Sequence, residues 1–402
     1  MEPMIWIGLT LFLATGEIAL PGSAPPVFIA GGAEKVWVLR QPDGQLPLWW
    51  VVDDGKPASV QLPEGVQFAA ALPDGAGLCL VFQDRVSIYA EEKGRWREKG
   101  ESLVFEPSLT VAQPRLDGAF IQVGARWLWP LFTKERLLVL QYQSGLQLLG
   151  EVSLPNLQQA PAWTNGEVAY VEPRPIPDGE GFSWMWDDAF MRWHPDDPGK
   201  ARVHPAPVVR NMERAVGLVT DDQVFWLIHG GERGELDSFG WRLQDAEGNA
   251  LARGSGILTR FDWHGESQRP GLAIWTVSQK ISSQLYAAIA GRRTFYGQHL
   301  RWRDGRWQPS ASLELKMGKG KGEKAFELNW TAEVNGDGEP DLVAVDEKSG
   351  VRVFASESKS TLAEEAVEFG DAPERLLTRG HEVFLAQKTG SGWTLKRLEL
   401  KP

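Results

Sequence analysis

Residues 299–313 read HLRWRDGRWQPSASL: apolar and charged residues alternate up to Asp304-Gly305, and a second strand-like run follows the turn. Period-two alternation on both sides of a short glycine-containing turn is the pattern of a β-hairpin. The unit recurs upstream as KVWVLRQPDGQLPLWWVV from Lys35, RVSIYAEEKGRWREKG from Arg85 and LLVLQYQSGLQLLGEV from Leu137. It returns as FMRWHPDDPGKARVH from Phe190 and GWRLQDAEGNALARG from Gly240. The turn glycines at 44, 94, 145, 199, 248 and 305 stand 50, 51, 54, 49 and 57 residues apart, so the chain is a repeat architecture. Two shorter copies follow, VRVFASESKS from Val351 and EVFLAQKTGSGWTLKRLEL from Glu382.

Each hairpin has a further strand and turn ahead of it: PDGAG then LCLVF, TNGE then VAYVE, TDDQ then VFWLI, and NGDGEPD then LVAVD. That gives four strands in a unit of about 50 residues, the size of a propeller blade and not of a helical repeat. No segment keeps i, i+3, i+4, i+7 periodicity for a dozen residues; the best helical candidate, residues 360–368, is short and reads as a strand or one turn of helix. Trp37, Trp127, Trp129, Trp184, Trp186, Trp226, Trp241, Trp275 and Trp302 fall within strand signals and read as packing between blades.

One turn differs from the rest. Residues 333–346 read EVNGDGEPDLVAVD, with oxygen-bearing side chains at Glu333, Asn335 and Asp337, then Gly338, then Asp341. A hard cation such as Ca²⁺ takes six to eight oxygens at about 2.3–2.6 Å, and a tight loop lets alternate side chains converge on one centre. The backbone carbonyl of Glu339 fills the gap between Asp337 and Asp341. An EF-hand is excluded, because the twelfth residue from Glu333 is Ala344 within a strand signal. Asn-Gly-Asp-Gly is also a favourable hairpin turn without any metal. The pattern over 333–345 resembles the FG-GAP or VCBS repeat, the calcium loop of integrin-α-like β-propellers, although Glu333 stands where that family usually has aspartate. The resemblance implies a bound Ca²⁺ held by Glu333, Asn335, Asp337, Glu339 and Asp341, and favours a ring of seven blades, whereas the eight hairpins by themselves suggest eight. In a seven-bladed ring the short terminal copy completes the blade begun by residues 27–52.

Composition agrees with many brief strands and tight turns: 43 Gly, 26 Pro and 19 Trp in 402 residues. A net charge of −11 disfavours nucleic acid or an anionic membrane as partner. The basic run at 316–324 is glycine-diluted and lacks the Walker pattern. Cys79, the single cysteine, lies in the apolar run GLCLVF and reads as a buried thiol. At the N-terminus the apolar stretch from Ile5 to Thr15 is too short to span a bilayer but fits the core of a secretory signal. Gly22-Ser23-Ala24 offers a processing site, although no Lys or Arg precedes the run and Pro25 follows the cut.

Catalytic constellations are weak. Residues 172–188 read as a blade insertion that, with the turn at 194–197, gathers Glu172, Glu180, Asp187, Asp188, His194, Asp196 and Asp197 beside aromatics. Such a set serves a glycan enzyme or a plain solvated turn. Asp262, His264 and Glu266 alternate like metal ligands but lack a fourth, and His229 in HGGER is similar. No G-x-S-x-G elbow exists. The expectation is therefore an all-β protein: a β-propeller of four-stranded antiparallel blades, a single domain over 25–402 behind a signal-like segment 1–24. It is expected to be an exported, calcium-stabilised monomer, periplasmic or extracellular, binding or scaffolding a protein or carbohydrate ligand, with no membrane span in the mature chain. The rivals are a propeller glycan hydrolase or lyase and an intracellular interaction hub in the cytoplasm.

Overall fold

The computed structural model describes residues 17–397 apart from 32–34, 41–47, 54–55, 93–94, 107–108, 110–119, 134–135, 155–174, 187–188, 210–212, 221, 233–234, 265–269, 279, 281–288, 290–291, 319–329, 333–338, 347–349, 357–361, 368–373 and 380–381. After a first strand β1 (Glu17–Pro21), the chain builds sheets of four consecutive antiparallel strands. The first holds β2 (Pro26–Gly31), β3 (Lys35–Arg40), β4 (Leu48–Asp53) and β5 (Lys56–Ser59). Next come β6 (Phe68–Ala71), β7 (Gly77–Val81), β8 (Arg85–Glu92) and β9 (Arg95–Val104). They are followed by β10 (Ile121–Val123), β11 (Arg126–Phe132), β12 (Arg136–Tyr142) and β13 (Leu146–Ser153). The fourth sheet is β14 (Ile176–Asp178), β15 (Gly181–Trp186), β16 (Ala189–Trp193) and β17 (Ala201–Pro205). The fifth is β18 (Arg214–Thr220), β19 (Gln223–Glu232), β20 (Glu235–Asp245) and β21 (Ala250–Ser255). The sixth is β22 (Ile257–His264), β23 (Gly271–Val277), β24 (Arg292–Arg303) and β25 (Arg306–Gly318). The seventh is β26 (Trp330–Ala332), β27 (Asp341–Asp346), β28 (Gly350–Ser356) and β29 (Leu362–Val367). Last come β30 (Arg375–Arg379), β31 (Glu382–Lys388) and β32 (Gly392–Arg397), and the missing fourth strand of this sheet is β1.

Burial orders the strands within each sheet. First strands of neighbouring sheets pack together, β2 beside β30, β10 beside β14 and β22 beside β26. Fourth strands such as β17 and β21 are largely exposed, so each sheet runs from the middle of the ring outward. Middle strands lie between two neighbouring sheets and are buried on both faces, which is why β7 (GLCLV) and β23 (GLAIWTV) are continuous apolar runs without alternation. Cys79, fully buried in β7, has its thiol pKa pushed well up by burial.

The cores form between sheets. Cys79, Val81 and Val86 pack with Trp129, Leu131 and Leu138 of the next sheet. Val139 and Leu137 then meet Trp184 and Trp193. Phe190 meets Trp226 and Val219, and Leu227 and Trp241 meet Leu272 and Trp302. The tryptophans expected between blades that have described side chains thus serve as packing, with Trp37, Trp184 and Trp275 at 0% exposure. The side chain of Trp186 lies outside the described set.

Chain termini close the ring. β1 pairs with β32 in the register Glu17↔Lys396, Leu20↔Trp393 and Pro21↔Gly392. The pairing continues past the strand, because the Gly22 amide donates to the Ser391 carbonyl at 3.1 Å and Trp393 Nε1 donates to the Ser23 carbonyl at 3.1 Å. Ile18 and Leu20 are buried against Ile29, Val36 and Val38 of the first sheet and Phe384 and Leu395 of the last. Residues 17–24, part of the segment separated in the sequence reading, are built into this sheet.

Several expectations change. Among the described residues eight four-stranded sheets are formed, so the favoured ring of seven is replaced. The terminal copy does not complete a sheet begun by residues 27–52, because that stretch finds its own fourth strand in β5 and the last hairpin takes β1 instead. The first repeated hairpin, β3 and β4, therefore occupies the middle of its sheet, one strand out of phase with β24 and β25. Residues 176–186 are not an inserted loop but β14 and β15, since GFSW is fully buried on both faces. Within 360–368, of the two readings of strand or one helical turn, the chain takes the strand, β29.

Candidate metal loop and its arginine anchors

The distinctive loop ends where β27 begins, against β23 and β24 of the preceding sheet. On β24, Leu300 and Trp302 point into one inter-sheet core. Strand alternation then turns His299, Arg301 and Arg303 to the opposite face, toward β27. Register places Arg301 opposite Gly271 and His299 opposite Ala273. A Cβ on Gly271 would stand 2.6 Å from Pro340 Cγ and 3.0 Å from His299 Nε2, so the absent side chain is what lets Glu339-Pro340 approach the sheet.

Three charged side chains are almost wholly buried there: Arg301 at 1% exposure, Glu339 at 5% and Asp341 at 0%. Arg301 Nη1 donates to Glu339 Oε2 at 2.8 Å, and Arg303 Nη2 donates to the same oxygen. Both guanidinium groups close on the one Glu339 carboxylate, the pairing and charge-assisted hydrogen bonding that a buried ion needs. On the same face, Arg260 holds Asp262 at 2.8 Å, and His299 Nδ1 lies 2.5 Å from Ser310 Oγ.

Other turns between first and second strands use the same device. Asp74, between β6 and β7, accepts a 2.5 Å hydrogen bond from the Tyr142 hydroxyl of the next sheet, whose pKa burial and this bond push up. Asp222, between β18 and β19, accepts from Arg192 Nη2 at 2.9 Å across a sheet boundary, and Arg192 also grips Asp178. In an antiparallel sheet the first-to-second and third-to-fourth turns fall at the same end. These acidic turns and the ends of β12, β16 and β24 that hold them therefore share one face of the ring.

Of the expected calcium ligands, Glu333, Asn335 and Asp337 lie outside the described residues. Glu339 turns its carboxylate to the arginines, so only its backbone carbonyl is left for an ion, as the spacing requires. Asp341 is at the head of β27 and fully buried. Asp341 and the Glu339 backbone carbonyl are thus the described members of the expected ligand set, and the Glu339 side chain is turned to the arginines. Among the described residues no group of three or more His, Cys, Asp or Glu could hold a metal.

Among the described catalytic candidates, Glu180 and the His194–Asp197 turn fall at the same end of the fourth sheet, where a Cβ on Gly181 would stand 3.1 Å from His194 Cα. Glu180 sits exposed in the β14–β15 turn, while Glu172, Asp187 and Asp188 are outside the described residues. His194, Asp196 and Asp197 form the β16–β17 turn, closed by Asp197 N to the His194 carbonyl at 3.2 Å. Asp262 is paired with Arg260, and Glu266 and the His264 side chain are not described. His229 is buried in β19, its pKa pushed down to about 4 by burial and by the charge of Arg214. The sequence reading missed the arginines. A signal was present: a strand with Leu300 and Trp302 buried on one face and covered on the other demands partners for Arg301 and Arg303.

These sheets define a β-propeller. No family model matches the chain, and no curated protein matches it. Among solved structures, it is similar to the WD40 domain of SCAP from fission yeast, with TM-score 0.45 and 10% identity, over 95% of this chain and 97% of that one. It is also similar to BBS1N in complex with ARL6DN, with TM-score 0.36 and 9% identity, over 96% and 98%.

Proposed function

We propose that this propeller is an exported binding or scaffold module for a protein or glycan ligand, with one Ca²⁺ clipped into the 333–341 loop. The observation that carries the scaffold reading is the inter-sheet fastening of acidic turns. Asp74, Asp222 and Glu339 each engage a side chain from a neighbouring sheet, so the carboxylates at one ring face hold its loops in place. A face fixed in this way presents a preformed surface, which lowers the entropic cost of binding. The Ca²⁺ reading rests on the spacing of Glu333, Asn335, Asp337 and Asp341 together with the Glu339 carbonyl. When bound, the ion would neutralise those carboxylates and fix the loop ahead of β27.

The test is a set of immobilised polysaccharides and cell-surface proteins, probed for retention and for newly released reducing ends. Retention of one glycan or protein with no shortening supports the module. Release of reducing ends would establish the hydrolase or lyase reading instead.

A further inference from the structure

We infer that the N-terminal leader ends at Gly16 and that the Gly16–Glu17 peptide bond is the processing site, so that the mature chain begins on the first residue of β1. This rests on the export reading above and gives it a position. The structure makes a cut after Ala24 incompatible with a closed ring. It would remove Ile18 and Leu20, at 3% and 2% exposure, from the core shared by the first and last sheets. It would also remove all five residue pairs between β1 and β32, and the carbonyl of Ser23 that receives Trp393 Nε1. β32 would be left as an apolar edge, which invites association with other chains.

The sequence offers a better bond upstream. Signal processing needs an apolar core of about 7–15 residues and then small side chains at the first and third positions before the cut. Residues 5–13, IWIGLTLFL, form such a core, and Ala14-Thr15-Gly16 places Ala and Gly at those two positions. Cutting there leaves Glu17, an exposed residue whose Oε1 is 3.5 Å from Lys396 Nζ, as the new terminus. The bond after Ala24 precedes Pro25-Pro26 and has no comparable core beside it. Hydrolysis by a membrane-bound signal peptidase adds one water across the Gly16–Glu17 amide, giving a Gly16 carboxylate and a Glu17 amine. The strand is then intact for pairing with β32.

The test is expression of the full chain from Met1 in a bacterium with its own signal peptidase, followed by cell fractionation, intact mass and N-terminal sequencing. The expected product outside the cytoplasm starts at Glu17. Ala14→Leu with Gly16→Leu should abolish that product, and Ala24→Leu should leave it unchanged. Exported protein that starts at Pro25, or that keeps residues 1–16, overturns the assignment of the bond while leaving export intact. Chain retained in the cytoplasm with its leader attached overturns the export reading and this inference with it.

Discussion

Arg301 and Glu339, separated by 38 residues and lying in neighbouring sheets, are joined at 2.8 Å with exposures of 1% and 5%. Removing one partner of a buried ion pair leaves the other charge uncompensated, at a cost of about 3–5 kcal/mol. Glu339→Gln should lower the unfolding free energy measured in urea by that amount, whereas Glu339→Leu combined with Arg301→Met and Arg303→Met should recover much of it. Equal losses in the single and the triple variant would mean that the cluster does not act as a unit.

Calcium should separate two acidic residues that stand two positions apart. With Ca²⁺ in hundredfold excess over its Kd, the linkage gain is about 2.7 kcal/mol, so a chelator should lower Tm by several degrees. Asp337→Ala and Asp341→Asn should abolish that difference. Glu339→Gln, though destabilised, should keep it, because the carboxylate of Glu339 is occupied by arginine. A midpoint indifferent to chelator would remove the ion from the account.

His229 makes the fold acid-sensitive. Its pKa of about 4 in the folded chain lies below the ordinary 6.5, since burial and Arg214 both oppose the charged form. The unfolded chain therefore binds the proton first. The neutral ring's full contribution is present above pH 6.5 and is lost as pH falls from 6.5 toward 4. The loss is on the order of 3 kcal/mol over that window. Denaturation of His229→Gln should show a flatter acid limb over that window; an unchanged limb would assign the sensitivity elsewhere.

Closure should be sensitive to packing at β1. Leu20→Ala removes a side chain at 2% exposure and should cost about 2–5 kcal/mol. Gly392→Ala should be as harmful, because a Cβ there would run into the Leu20 carbonyl. Hydrogen exchange in β32 should rise in both variants, and protection equal to wild type would place the strength of the ring elsewhere.

Local pattern made most of the fold readable. Alternation and turn glycines located the hairpins from Lys35 to Glu382, and the acidic loop at 333–341 was placed correctly between the first and second strands of its sheet. Partners distant in the chain left no such trace. β1 meets β32 across nearly the whole sequence, and without it the last hairpin seemed to belong to residues 27–52. Pro175, Pro177 and Gly179 made 172–188 look like a loop, although the turn is only Gly179-Glu180 and the GFSW that follows is core. No local pattern marks Arg301 and Arg303 as paired: alternation separates the charged face from the apolar one, and only a sheet covered on both sides brings that charged face against the next sheet.

The propeller is a single ring closed by β1 on β32. Ala19 and Thr394 are directly paired across that closure, and Cys79, the one native cysteine, is fully buried. In Ala19→Cys/Thr394→Cys, mild oxidation should form one intramolecular disulfide, seen as faster migration on a non-reducing gel and a raised denaturation midpoint. A folded, monomeric double variant that never cross-links would contradict the closed ring.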